Sequence, residues 1–433
     1  MIDKIKHVLS QIDGITGWKI NEVTKSAEEL FFIKKKLDMN RSKDVHVYEL
    51  TIYVAFEENG KQYLGASRTE LSASMSDDDI RTILEDTKLG ASFVKNGYYE
   101  LVNPTDENPD VSTSSFASGD LIDYMPRLTK AVYEPDQNVA GGINSCEIFL
   151  NKRINHIMNS KGVDVTYTTY TNMVEIITEW NDGVEPVELY EFMNLGDFEP
   201  QLITEKVSGM LEQSKLRAHA KPATALSNIN VILSGDAVKE FLEYYVKKAN
   251  AQSIYEKTSG FLVGQKLQGE DAQGDIIQVE LLPILEGSSK SAPYDADGVL
   301  LKPITLIKNG VLQTYYGANQ YTSYLGVATT GHLANARFAC GSMSYEAMKH
   351  EPYIELVSFS NFQMNPLTGD FGGEVRLANY YDGEQVVAVT GASISSNIEK
   401  VHSEMKLSIE SMKIDNYEGP KHILFKGLEV AGN

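Results

Sequence analysis

Cysteine is nearly absent from this chain. Cys146 and Cys340 are the only two in 433 residues, which excludes a disulfide framework and a thiolate metal cluster. Both read as buried small apolar residues. Histidine is scarce too, and its spacing matters more than its number. The closest pair of the eight is His332 and His350, too far apart to share a helical turn. A helical zinc site needs two imidazoles one turn apart, so none is predicted. No segment approaches the roughly 20 apolar residues of a membrane span. The stretch Met1–Leu9 mixes charged and apolar residues and lacks the unbroken apolar run of a signal peptide. A cytoplasmic chain without a membrane partner is the expectation. Positive charge is also in deficit: 39 basic against 60 acidic residues give 39 − 60 = −21. Such a surface repels phosphate backbones, so no nucleic-acid partner is expected.

Other chemistries are missing by pattern. There is no Gly-x-Ser-x-Gly elbow for a serine nucleophile. The stretch from Gly260 to Lys266 has the glycines and lysine of a phosphate loop, but the spacing is short and Leu267 stands where a hydroxyl is needed. The acidic turn Asp295-Ala296-Asp297-Gly298 is followed by Val299, Leu300 and Leu301. It therefore lacks the further oxygen ligands of a calcium loop and reads as an Asx turn before a strand.

What remains is a two-domain α+β chain. The N-terminal domain is expected over residues 1–220, helices with an antiparallel sheet, and a strand-rich domain over 221–433. Ile2, Ile5, Leu9 and Ile12 mark a first helix ended by Gly14. Strands are expected over Glu29–Lys36, His46–Glu57 and Lys61–Ser67, the last two joined by an Asn59-Gly60 hairpin turn. Ser76 caps a helix to about Val94. A polar loop occupies 101–119, then a helix over Asp120–Tyr133 that contains Pro126. Ile143–Trp180 is dense in β-formers and turns at Asn159–Gly162. A helix over Pro200–His219 buries Ile203, Val207, Leu211 and Leu216. A strand over Asn230–Leu233 leads into a helix over Gly235–Asn250. Asn309-Gly310 and Asp382-Gly383 predict further hairpins.

The C-terminal half carries Gly-centred motifs in series: Tyr294–Val299, Ile307-Lys308-Asn309-Gly310-Val311-Leu312 and Leu367-Thr368-Gly369-Asp370-Phe371. Their order resembles the TldD/PmbA family, also called the modulator of DNA gyrase family. Ser160–Val163, Ser253–Glu270, Tyr294–Gly331 and Pro366–Asn397 extend the resemblance over most of the chain. Ser395-Ser396-Asn397 departs from it where the family often shows Gly-Asn. One branch of the family carries His-Glu-x-x-x-His after a strand, completed by a cysteine near the C-terminus. The matching place here, Val231 to Leu242, has no imidazole or thiolate, and no cysteine follows Thr390. The resemblance is therefore to the metal-free TldE/PmbA branch.

That resemblance implies a non-catalytic subunit with no metal or cofactor of its own and no catalytic residue. Its partner would be a TldD-like subunit holding zinc, its substrate an unfolded or short peptide. A homodimer is implied when the chain is alone. Asp295, Asp297, Gly298, Asn309, Gly310, Thr368, Gly369, Asp370 and Phe371 become candidates for a groove or subunit contact. Two other readings stand beside this one. One is an independent metallopeptidase with ligands from distant positions such as His332 and Asp295. The other is a regulatory protein that binds a protein partner such as DNA gyrase.

Overall fold

The computed structural model describes residues 1–110, 113–183 and 186–432. Residues 111 and 112, within the loop expected over 101–119, lie outside the described residues. The N-terminal half is one antiparallel sheet of six strands: β1 (Gly17–Ile33), β2 (Lys36–Glu58), β3 (Lys61–Ser72), β4 (Gly141–Asn159), β5 (Asp164–Trp180) and β6 (Val187–Leu195). Their order is β3-β2-β1-β4-β5-β6. Side chains alternate across the pleat, so one parity of β1, β4 and β5 faces one side. The even-numbered residues Ile20, Ile148, Leu150, Met158, Val174 and Ile176 are buried under helices. Those helices are α1 (Ile2–Leu9), α2 (Asp77–Ser92), α3 (Leu121–Tyr133) and α4 (Pro200–Ala218). They form two separate cores, α1 and α2 over one end of the sheet and α3 and α4 over the other.

Local chemistry accounts for the element ends. The Ser76 side chain accepts from the Asp79 amide at 3.1 Å, and Asp79 accepts from the Ser76 amide at 3.0 Å, a reciprocal capping box. Asn59 and Gly60 both take positive φ, 54° and 74°, as the two-residue hairpin requires.

The C-terminal half holds two sheets. The smaller runs in the order β11-β10-β9-β12-β19-β18. Its strands are β9 (Val279–Leu282), β10 (Ile304–Lys308), β11 (Val311–Leu312), β12 (Asn335–Phe338), β18 (Ser411–Ile414) and β19 (Tyr417–Pro420). The larger contains β7 (Lys221–Pro222), β8 (Leu226–Ser234), β13 (Tyr353–Met364), β14 (Asp370–Tyr381), β15 (Val386–Thr390), β16 (Ala392–Asn397), β17 (Lys406–Leu407) and β20 (His422–Ala431). Its order is β13-β8-β20-β16-β14-β15-β7, and β13 also pairs with β14, so five of its strands close into a ring. Helix α5 (Asp236–Lys248) packs against the inner face of that ring. Phe241 meets Phe371 and Phe425 there, both at 5.1 Å between ring centroids. The outer face carries Ile232, Tyr353 and Leu424 under Met348 of a short helix, α8. The remaining helices α6 (Ala251–Tyr255), α7 (Asn319–Leu325), α8 (Tyr345–Met348) and α9 (Ile398–Val401) are single turns or little more.

The α+β class holds, with four local corrections. The strand expected over Glu29–Lys36 is the end of a longer one, and the chain reverses at Lys34, whose φ is 53° without a Gly or Asn to signal it. Strand β6 went unread. Leu216 is exposed on α4, while Met210 and Ser214 are buried instead. Cys340 is exposed, and only Cys146 is buried.

Phe241→Ala should destabilise the protein by about 3–5 kcal/mol, because it empties the aromatic centre of the ring. Equilibrium denaturation in urea measures this. A change near zero would mean that the ring collapses around the cavity.

Candidate functional site

The acidic turn at 295–298 sits against the N-terminal sheet. Asp295 Oδ1 accepts from the Asp297 and Val299 amides at 2.9 and 3.0 Å, which makes it an Asx turn. Its Oδ2 accepts from the His332 amide at 3.1 Å. Burial, reinforced by the adjacent Asp297 carboxylate, pushes the Asp295 pKa up to about 6. Asp297 is ion-paired with Lys19 on the odd-numbered face of β1. Burial works against the Lys19 ammonium, but Asp297, with Tyr53 and Asp295, together outweigh it and raise the pKa. Gly298 has φ +82°, and a Cβ there would lie 2.7 Å from Val163 Cγ1. Only glycine fits this approach. Nearby, Asn319 Nδ2 donates to the Glu100 carbonyl and Tyr324 Oη to the Gly97 carbonyl, both at 2.8 Å. Asp295, Asp297 and Gly298 thus clasp the two halves of one chain.

Asn309 and Gly310, with φ 50° and 76°, form the two-residue β10–β11 turn. The Gly310 amide donates to the Ile277 carbonyl and its carbonyl accepts from the Leu267 amide. The Thr368–Phe371 turn is held by Asn397, whose Nδ2 donates to the Thr368 carbonyl at 3.0 Å and to Asp370 Oδ1 at 2.8 Å. Gly369 takes φ +78° beside Ile398. Phe371 is buried in the ring's aromatic centre. Among the described residues, no hydrogen bond, ion pair or ring contact joins these three groups.

The strand-to-helix junction between β8 and α5 holds a polar constellation that sequence spacing does not reveal. Ser234 Oγ lies 2.8 Å from His422 Nδ1 and 3.0 Å from Glu355 Oε1. The other Glu355 oxygen accepts from Tyr345 Oη at 2.8 Å and Asn379 Nδ2 at 3.2 Å. The Tyr345 ring stacks on His422 at 4.2 Å. Burial pushes the His422 pKa down to about 4, against the pull of Glu355, so the imidazole is neutral at pH 7. Gly235 follows with φ +65° and turns the chain into α5.

This donor set does not fit zinc. It offers one imidazole and one carboxylate, whose oxygens already accept from Ser234, Tyr345 and Asn379, against the three or four protein ligands zinc takes. Among the described residues, no group of three or more His, Cys, Asp or Glu is placed to hold a metal ion. Asp295 and His332 are neighbours, but through the main-chain amide. The His332 ring instead packs near Tyr316, and burial lowers its pKa. Nor is Ser234 arranged as a triad nucleophile, since Glu355 bonds the serine hydroxyl and not the imidazole.

The fold is of the α+β class, and the β8–α5 junction holds a hydroxyl, a carboxylate and an imidazole in mutual contact. Residues 227–432 match the PmbA/TldA metallopeptidase C-terminal domain. Over that part the chain is similar to proteins of the TldD/PmbA family. It is similar to the metalloprotease PmbA homolog of Haemophilus influenzae, 23% identical over 286 residues, covering 63% of this chain and 60% of that protein. The chain spans about 60% of the length of the first curated relatives it matches. The crystal structure of TldE from Thermococcus kodakarensis superposes with a TM-score of 0.80 at 14% identity, covering 100% of both chains. That of a putative modulator of a DNA gyrase from Thermotoga maritima gives 0.78 at 17%, again covering 100% of both. No described helix is long and apolar enough to cross a membrane.

His422 makes a pH prediction. Its folded pKa lies below the usual imidazole value, so the unfolded chain binds the proton more tightly. Stability from this group is complete above about pH 6.5 and is lost as pH falls toward about 4. Urea unfolding from pH 7 to 4 should be less steeply pH-dependent in His422→Gln than in the parent. Equal slopes would remove His422 from the acid response.

Proposed function

We propose that this chain is a TldE/PmbA-like, non-catalytic subunit of a cytoplasmic TldD-type metallopeptidase complex that acts on unfolded or short peptides. The observation that carries this reading is the β8–α5 junction. In a family of metallopeptidase type, the strand-to-helix turn here presents Ser234 to Glu355 and His422 in place of metal ligands. Zinc, and the activation of water it supplies, would belong to the TldD-like partner. This chain would contribute walls and strand edges. Strand β6 pairs only with β5 among the described strands, and Tyr190 and Phe192 on it are exposed. Such an edge offers main-chain groups to an extended peptide.

The purified chain should contain far less than one zinc per molecule by metal analysis and should cleave no peptide. Mixed with its TldD-like partner it should support chelator-sensitive cleavage. Chelator-sensitive cleavage by the chain alone would refute the proposal. Affinity purification from its own cell extract should recover a polypeptide with His-Glu-x-x-x-His. Recovery of DNA gyrase without such a polypeptide would favour a regulatory protein instead.

A further inference from the structure

The odd-numbered face of the N-terminal sheet is left without helices. At one end the 289–296 segment closes over it and leaves a cavity of about 220 Å³, bounded by Asn21, Arg153, Asn155 and Lys290 among others. At the other end a cavity of about 600 Å³ lies between Ile177 and Tyr190 of the sheet and Phe359 of β13. The face between them carries two like-charge pairs set directly opposite each other. Lys25 and Arg153 are cross-strand partners, and so are Glu147 and Glu175. Like charges in that relation destabilise a sheet unless something neutralises them.

Among the described residues no ion pair does so. The chain has 60 acids for 39 bases, yet Lys25, Arg153 and Lys290 are exposed and lie in no ion pair, and neither do Glu147 and Glu175. The acids nearest the basic end are engaged elsewhere: Asp297 with Lys19, Glu49 with Arg68, Glu29 with Arg41 and Lys43. Glu22 bonds His46 and His156 on the helix side. Burial and the neighbouring Glu175 and Glu29 carboxylates raise the Glu147 pKa, as expected for an acid that lacks a cation. Beside the basic pair, Asn21 Oδ1 is buried with no donor to satisfy it, an unmade acceptor that favours a ligand N–H.

We propose that this face binds an extended peptide in one direction, with its terminal carboxylate against Lys25, Arg153 and Lys290 and a cationic group against Glu147 and Glu175. Arg153 and Glu147 are six residues apart on β4, a span of about 20 Å, or about six residues of extended chain. Phe31 and Phe149, in edge contact at 5.4 Å, supply apolar surface between the charged ends. The choice of a peptide as ligand rests on the function proposed above. The charge pattern and the orphan acceptor do not.

The test is fluorescence anisotropy on the full chain with an internally labelled heptapeptide that has free termini. Blocking the C-terminus as an amide should weaken binding about 10-fold, the scale of one charge-assisted contact. Lys25→Glu with Arg153→Glu should abolish the difference between acid and amide. An amidated peptide ending in glutamate separates a terminal carboxylate, the outcome predicted, from a side-chain carboxylate. If the latter restores full affinity, the site reads any carboxylate and the terminal assignment is overturned. Equal binding of acid and amide by the unmodified chain, or no binding of either, overturns the proposal. Zinc content and partner-dependent cleavage still judge the subunit role separately.

Discussion

The ion pair between Lys19 and Asp297, with the Asx turn that presents it, determines how this molecule is arranged. It joins the first strand of the N-terminal sheet to a loop of the C-terminal half nearly 280 residues away. A buried ion pair adds little net stability, because desolvation offsets most of the attraction. Its value is in position. Gly298 can approach Val163 only without a side chain, so the loop seats in one place. That seat covers one end of the odd-numbered sheet face and leaves the rest open.

The same economy of contacts appears at the β8–α5 junction. Three strands, β8, β13 and β20, bring a hydroxyl, a carboxylate and an imidazole to one point on the outer face of the ring. Both Glu355 oxygens, Ser234 Oγ and His422 Nδ1 have partners within the network. A hydrogen-bonded polar network of this kind favours one arrangement of its members.

Much of the fold was legible in the residues, because turn and cap chemistry is local. Asn59-Gly60, Asn309-Gly310 and the Ser76 box each declare an element boundary within four residues. Lys34 did not, since a lysine at positive φ is imposed by its hairpin and not by its own preference. Strand β6 was missed although it alternates, with Leu189, Met193 and Leu195 buried and Tyr190 and Phe192 exposed, because Glu191 interrupts the apolar positions of its buried face. The absence of paired imidazoles was plain from spacing. The convergence of Ser234, Glu355 and His422 was not, because strand register alone unites residues 234, 355 and 422. The motif turns at 295–298, 309–310 and 368–371 were visible as turns. The hairpin at 309–310 was legible from its residues, while the roles of the other two as clasp and ring anchor needed the tertiary partners Lys19 and Asn397. The facing pairs Lys25–Arg153 and Glu147–Glu175 were invisible for the same reason.

The central claim is that this polypeptide cannot by itself grip a catalytic cation. Its most direct test is a crystal of the chain grown with zinc and measured on both sides of the zinc absorption edge. The account predicts no anomalous peak within bonding distance of Ser234, Glu355 and His422. A full-occupancy peak there, ligated by His422 and Glu355, would contradict it.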